Sequence, residues 1–242
     1  MKNQFKQLME SWKLFRAMPS VSINLQSDQI QEDNQFYRTI TEQFYREANK
    51  RHRKFPLFKS MVHGVALCDI SKGFDSYLGI IESSARRNFK KALRNGFFSR
   101  PIDYNEHLDE IWAIRRSTPV RQGEMPDAFI NTPPPKRTDP VSTSKTHDYR
   151  YFGVFDKDDT LVAYAGCLIA GELMMIEHIY GHFEYQSFGV VPMLLISMAQ
   201  HAEEDHSTVK YYSYGTFFGA SPTMKRFKKK FRFLPHRVSW SL

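Results

Sequence analysis

Three apolar segments joined by two tight turns constrain the fold of this chain more than any other feature. The first turn is Asp156-Lys157-Asp158-Asp159 and the second is Gly171-Glu172, and both are built from residues typical of hairpin turns. Connections this short join neighbouring strands in antiparallel orientation. We therefore predict a three-stranded antiparallel meander over residues 149–155, 161–170 and 173–182.

The residues that follow the meander switch between helical and strand periodicity. Residues 190–202 begin after Gly189 and form an apolar run typical of a helix buried against a sheet. Strand-forming residues at 209–214, a basic helix at 221–231 and a last strand at 237–240 follow. This order of elements predicts an α+β domain with a mixed sheet, beginning at about residue 149.

The first 148 residues carry weaker patterns. Apolar residues at helical spacing predict helices at 4–15, 36–51 and 74–93, and a further helix that opens near Asn105. Strands are expected at 58–69 and 97–102, and residues 20–34 are a polar stretch to which no helix or strand is assigned. Residues 118–146 contain six prolines and predict a long irregular loop, of the kind that either covers a site or is poorly ordered.

Charge and composition limit the class of partner. The net charge is +8 and the pI is about 9.4, which favours an anionic partner: a phosphorylated cofactor, a nucleic acid or an acidic surface. No apolar run approaches the length of a membrane span, so we expect no membrane span and a cytoplasmic protein. Cys68 and Cys167 stand far apart, which argues against a disulfide framework, and no histidine spacing predicts a metal site.

The loop before the apolar helix has the composition of a phosphate-binding turn. A glycine that opens a helix leaves backbone N–H groups unpaired at the positive end of the helix dipole, and such groups bind pyrophosphate. The loop Gln186-Ser187-Phe188-Gly189-Val190-Val191 resembles the Gln/Arg-x-x-Gly-x-Gly/Ala signature of the Gcn5-related N-acetyltransferase (GNAT) superfamily. Val191 departs from the small residue of that signature, and Pro192 removes one donor.

Two further segments resemble a branch of that superfamily. Phe227-Lys228 stands where the GNAT superfamily places a general-acid tyrosine, and Arg232 replaces a glycine. These residues, with the basic segment at 83–92, are similar to the Fem-type aminoacyltransferases and related proteins of polysaccharide gene clusters. The resemblance implies a GNAT-like α+β fold, with a mixed, mostly antiparallel sheet flanked by helices. It implies a GNAT-like domain over residues 74–242, preceded by a helical extension with one strand over residues 1–73.

The resemblance also implies an activity: transfer of an acyl group from acetyl-CoA or another acyl-CoA to a small-molecule amine acceptor. An amino sugar, an amino acid or a small amine fits that role. Gln186, Ser187, Phe188, Gly189, Val190 and Val191 would hold the cofactor, together with Lys225 and Lys228. The expected catalytic residues are Glu177 as the base, with His178 or His182 as the alternative, and Tyr214 as the acid, and the expected substrate-binding residues are Arg115, Arg121, Tyr180 and His182.

Strand alternation bears on the candidate base. In a regular strand Glu177 and Ile179 share one face, while Ile176, His178 and Tyr180 share the other. On that reading the side chains of Glu177 and His178 point to opposite faces, and the sequence leaves the choice of base among Glu177, His178 and His182 open.

Three alternatives compete with an acyl-CoA enzyme. The basic segments 46–54 and 86–91 would also suit a nucleic-acid binding or modifying protein. An aminoacyl-tRNA donor, as Fem-type proteins use, would suit the basic helices. Val191 and Lys228 would also fit a GNAT-like fold that has lost catalysis.

Overall fold

The computed structural model describes residues 16–30, 34–51, 59–121 and 123–242. The helix predicted at residues 4–15 and the start of the strand predicted at 58–69 lie outside this part of the chain. The strands are β1 (Ser20–Asn24), β2 (His63–Asp69), β3 (Phe98–Ile102), β4 (His147–Phe155), β5 (Leu161–Ala170), β6 (Leu173–Gly181), β7 (Tyr211–Thr216) and β8 (Leu234–Ser241). The α-helices are α1 (Gln35–Asn49), α2 (Phe74–Ile80), α3 (Ser83–Arg94), α4 (Leu108–Arg116), α5 (Asp127–Asn131), α6 (Val190–Asp205) and α7 (Pro222–Lys230).

All eight strands form one mixed sheet, in the order β1-β8-β2-β7-β6-β5-β4-β3. The pairs β1/β8 and β6/β7 are parallel and the other five are antiparallel. The predicted meander is β4, β5 and β6. The predicted fold class, a mixed and mostly antiparallel sheet flanked by helices, is therefore confirmed.

Helices cover both faces of the sheet. On one face α6 supplies Leu194, Leu195 and Met198 to a core that includes Phe152 and Ile176 of the sheet. On the opposite face α1 packs near β8, and α4 packs over β5 and β6. In the part of the chain that the structure describes, no helix combines the length and apolar composition needed to cross a bilayer.

The polar stretch at 20–34 contains a strand that the sequence did not predict. Only one of the five side chains of β1, Ile23, is fully buried, so the segment lacks the apolar alternation of a typical strand. β1 forms because β8 offers it a parallel edge, with Ile23 opposite Trp240. The interaction is long-range, and local periodicity does not report it.

The helix predicted at residues 74–93 is two helices. Ile81 and Glu82 are extended and separate α2 from α3. The Glu82 amide donates to the carbonyl of Lys230 at 2.9 Å, and the Arg86 guanidinium donates to carbonyls at the end of α2. These bonds stabilise the break and place the start of α3 beside the end of α7.

Most of residues 118–146 are irregular, as predicted, and hydrogen bonds attach the middle of this segment to α4 and to the turn before α4. Trp112 donates its indole N–H to the carbonyl of Ile130 at 2.9 Å, and Asn105 exchanges two hydrogen bonds with the backbone of Arg137. The division of the chain at residue 73 stays a proposal. Residues before it supply β1 and β2 to the common sheet.

Arg232 occupies a backbone conformation that favours glycine. Its φ is +62°, and the amides of Arg232 and Phe233 close the end of α7 by donating to the carbonyls of Lys229 and Lys228. We expect Arg232→Gly to raise the free energy of unfolding by about 0.5–1 kcal/mol. Glycine removes the strain of the left-handed conformation, and this gain exceeds the loss from the greater conformational entropy of glycine in the unfolded chain. Urea unfolding measures it.

The matched control is Arg226→Gly, in the middle of the same helix. There we expect a loss of about 1 kcal/mol, since glycine is a poor helix former. A stability loss in both variants would mean that the Arg232 side chain contributes more than its backbone conformation costs.

Candidate active site

An opening in the sheet lies between β6 and β7. The two strands pair only from Leu173 to Met175, opposite Tyr211 to Ser213, although β6 continues to Gly181 and β7 to Thr216. Beyond these pairs the facing edges are not joined by strand hydrogen bonds. Backbone polar groups at such an edge are available to a ligand.

A β-bulge at Glu177 bends β6 at the start of this opening. Gly166 pairs with His178 and Cys167 pairs with Ile176, so Glu177 has no partner on β5. An extra residue places two consecutive side chains on one face. The alternation expected from the sequence was therefore wrong: Glu177 and His178 share a face, and Ile176 lies on the other face with α6.

Five ring-bearing side chains cover this shared face of β4, β5 and β6. His178 lies 5.6 Å from the ring of Tyr151, 5.7 Å from that of Tyr164 and 6.1 Å from that of Tyr180. Tyr149 lies 5.4 Å from Tyr151 and donates its hydroxyl to Glu177 at 2.7 Å. We call these five residues the aromatic floor: Tyr149, Tyr151, Tyr164, His178 and Tyr180.

His178 is held neutral in this environment. Burial, with the guanidinium groups of Arg115 and Arg137, lowers its pKa to about 4. Its Nε2 is buried and makes no hydrogen bond to any residue that the structure describes. The imidazole is therefore unprotonated at neutral pH, which is the form required of a general base, and its low pKa makes it a weak one.

Two of the predicted substrate-binding residues, Arg115 and Arg121, border the aromatic floor, and their hydrogen-bond partners differ. Arg115 donates from Nε to the Tyr164 hydroxyl at 2.9 Å and from Nη2 to the Tyr104 hydroxyl at 3.0 Å. Arg121 donates to the carbonyls of Gly181 and Ile114 and to the Ser117 hydroxyl. Arg121 thus holds the end of β6 against α4, and its guanidinium is committed to the protein, which argues against the bidentate acceptor contact expected for it.

Lys228, predicted to bind the cofactor, lies instead against the end of β7. Its ammonium donates to the carbonyls of Tyr214 at 2.6 Å and Thr216 at 2.7 Å, just beyond the last pair of β6 with β7. The side chain is 5% exposed, and burial lowers its pKa to about 8. Strongly perturbed pKa values are typical of functional sites. Tyr214 lies alongside, with its ring centroid 4.8 Å from the Lys228 nitrogen.

The GNAT-like signature loop opens α6 as predicted. Residues Phe183–Phe188 form a 3-10 helix, Gly189 has φ +88°, and no side chain caps the N-terminus of α6. Gln186 and Ser187 are exposed, whereas Phe188 packs on Phe97. Val190 is buried in the core, and Val191 lies against Gly181.

The backbone at Gly189 is closely approached by the protein itself. A Cβ at this position would lie 2.6 Å from the carbonyl oxygen of Asn88 in α3. The glycine therefore admits the backbone of a neighbouring helix, where the sequence had indicated a ligand. Lys91 of the same helix donates to the carbonyl of Ser187 at 2.8 Å.

Two predicted site residues lie apart from the aromatic floor. His182 follows the end of β6, and its ring centroid lies 5.5 Å from that of Tyr185 in the 3-10 helix before α6. Lys225 lies in the first turn of α7. Their assigned roles stay predictions.

Arg137, Tyr149, Tyr151 and Tyr164 were not among the predicted site residues. Arg137 comes from the proline-rich loop, and its guanidinium lies 5.0 Å from the ring centroid of Tyr149 and 5.8 Å from that of Tyr151. The sequence held one usable signal. Tyr149 and Tyr151 are two residues apart on β4, so their side chains project to the same face of the predicted meander.

Comparison with solved structures shows which known proteins have a similar fold. Among solved structures the chain is similar to FemX, with a TM-score of 0.56 and 13% identity over 83% of this chain and 66% of FemX. It also matches the C-terminal domain of a putative lysylphosphatidylglycerol synthetase from Agrobacterium fabrum, with a TM-score of 0.47 and 14% identity over 72% of this chain and 58% of that one. A tandem GNAT protein from the clavulanic acid biosynthesis pathway gives a TM-score of 0.43 and 10% identity over 73% of this chain and 53% of that one.

No protein-family model matches the chain, and no curated protein does. The chain spans less than two thirds of the length of each of these three structures. At these identities the likeness concerns the fold alone. The fold is GNAT-like, and any activity has to be argued from the residues of this chain.

Proposed function

We propose that this protein transfers an acyl group from an activated carrier to an amine. The observation that supports the proposal most directly is the opening between β6 and β7, which has a buried ammonium, Lys228, at the end of one strand and the bulged pair Glu177 and His178 on the other. An acyl transfer needs a base for the amine and positive charge near the departing group. Both kinds of group border this opening.

The proposed reaction balances with these residues. The amine nitrogen attacks the acyl carbon, and a C–N bond forms as the carbon–sulfur bond of a thioester breaks. The proton of the amine passes to the imidazole of His178 or to the Glu177 carboxylate. The thiolate leaves next to the Lys228 ammonium and takes a proton from it.

We propose acetyl-CoA or another acyl-CoA as the donor. The uncapped N-terminus of α6 presents backbone N–H groups and the positive end of the helix dipole, which suit a pyrophosphate. The loop residues Gln186 and Ser187 are exposed beside it.

Thermal unfolding with acetyl-CoA tests this donor. At about a hundredfold excess over Kd, binding stabilises by about 2.7 kcal/mol and should raise Tm by roughly 5–10 °C. Ser187→Asp should reduce that shift, because it places a carboxylate where the phosphates bind. Ser207→Asp, the same change at the other end of α6, should leave the shift intact. No shift at millimolar acetyl-CoA would remove acyl-CoA as the donor.

A second candidate donor is an aminoacyl group carried by RNA. Arg87, Lys90, Lys91 and Arg94 form an exposed face on α3, and none of them pairs with an acid among the residues described. The hydrogen bond from the Glu82 amide to the Lys230 carbonyl places the start of α3 beside the end of the basic helix α7. Tight tRNA binding that weakens steeply with salt, without any acetyl-CoA shift, would favour this donor over the first.

A further inference from the structure

We propose that the amine acceptor carries an anionic group, a carboxylate or a phosphate, and that Arg115 binds this group beside the aromatic floor. The inference rests on the proposed acyl transfer and names the class of acceptor. It comes from the state of one guanidinium, which is half-buried, positioned by the protein and left without a counter-charge.

The hydrogen bonds of Arg115 fix its orientation without neutralising it. Both partners, Tyr164 and Tyr104, are buried phenols, and burial raises the pKa of Tyr164, so that partner stays neutral. A guanidinium has five N–H donors, and two are used here. Among the residues described, the other three have no acceptor, and no Asp or Glu lies within ion-pair distance.

The neighbouring arginines differ in this respect. Arg137 is paired with Asp139, to which its Nε donates at 2.8 Å. Arg121 lacks an acid, but carbonyl and hydroxyl oxygens occupy its two terminal nitrogens. Of the three, Arg115 alone combines a positive charge that has no acid partner with a terminal nitrogen, Nη1, that donates to no residue described. Planar donors of this kind bind a carboxylate or phosphate through two parallel hydrogen bonds.

Aromatic rings shield the Arg115 guanidinium from part of the solvent, and this shielding favours binding of an anion. The guanidinium lies 4.6 Å from the ring centroid of Phe129, and that ring lies 5.1 Å from Tyr180. Charge interactions strengthen where water is partly excluded. The guanidinium groups of Arg115 and Arg137 both favour the neutral form of His178, so the positive potential of the arginines reaches the proposed base.

The position of Arg115 links anion binding to the transfer step. Tyr164 bonds to Arg115 and packs edge-on against His178, so one aromatic side chain separates the guanidinium from the imidazole. An acceptor whose anionic group lies on Arg115, with its amine a few bonds away, presents that amine towards His178. We classify Arg115 as a substrate-binding residue.

Matched acceptor pairs test the inference. The probes are glycine against glycinamide for the carboxylate, and glucosamine 6-phosphate against glucosamine for the phosphate. For at least one pair we expect the anionic member to have a kcat/KM about ten to a hundred times higher, mainly through KM. Arg115→Gln should reduce this ratio to about one. Arg116→Gln, the same change at the exposed neighbour on α4, should keep it.

Direct binding separates failure of this inference from failure of the proposed function. Calorimetry with glycine and with glucosamine 6-phosphate should show about tenfold or greater weakening in Arg115→Gln, whether or not transfer occurs. A carboxylate-only or phosphate-only preference supports the inference and identifies the group. Equal rates for charged and neutral acceptors, or binding that Arg115→Gln leaves unchanged, overturns it even if acyl transfer is demonstrated.

Discussion

Lys228→Met should lower kcat for acyl transfer by roughly two to three orders of magnitude, with little change in the affinity for the donor. The size follows from removing a positioned donor at the place where negative charge develops. The ammonium lies at the end of β7, beside the opening where the leaving sulfur is expected, and methionine retains the length of the side chain without the charge. Steady-state kinetics with acetyl-CoA and an amine measure kcat, and thermal shift measures donor binding.

The pH dependence separates a catalytic from a structural lysine. Because burial lowers the pKa of Lys228 to about 8, its charged form is lost as pH rises through that value, and the rate should fall there. The stability effect has the opposite sign. Between about pH 8 and 10.5 the unfolded chain binds a proton that the folded protein has released, so the free energy of unfolding of the wild type rises relative to Lys228→Met.

Lys229→Met is the matched control, since the neighbouring lysine is exposed. It should retain kcat within about threefold, as is typical of surface positions. Lys228→Met also leaves the carbonyls of Tyr214 and Thr216 without a donor, at about 1–3 kcal/mol, so folding must be checked before the kinetics are interpreted. A folded Lys228→Met protein with unchanged kcat would assign the ammonium to structure alone.

The parts of the fold that the sequence predicted correctly depend on local patterns. β5 is ten consecutive buried residues, and α6 is an apolar run that begins at a glycine, so both stand out without knowledge of their neighbours. β1 was missed because its partner β8 lies more than 200 residues away. The break between α2 and α3 was missed for a similar reason, since it depends on a hydrogen bond to the end of α7.

The candidate site was predicted less well than the fold, because its geometry depends on strand register. Nothing in the residues 174–182 marks the bulge, yet this one extra residue brings Glu177 and His178 to the same face. The environment of Lys228 is equally hidden, since its partners are carbonyls of a strand and not side chains. A basic helix in the sequence suggested phosphate binding, whereas the buried position of this one lysine indicates a different role.

Gly189→Ala should lower the free energy of unfolding by roughly 2–4 kcal/mol, even with no ligand present. The added Cβ would lie 2.6 Å from the Asn88 carbonyl oxygen and would sit on a backbone with φ +88°. Overpacking and a left-handed conformation each cost about 1–2 kcal/mol or more. The resemblance to the signature loop had placed Gly189 among the residues that hold the cofactor. The contact with α3 predicts instead that the first loss is stability, and urea unfolding without ligand measures it.

Gly79→Ala is the matched control for this last expectation. Gly79 lies in α2, and an added Cβ there would meet no atom within 4 Å. The same substitution should therefore raise stability by about 0.5–1 kcal/mol, because alanine is the better helix former. If Gly189→Ala instead kept full stability and lost only its response to acetyl-CoA, the close approach to α3 would be relieved by a small helix shift. The glycine would then serve the ligand, as the signature loop first indicated.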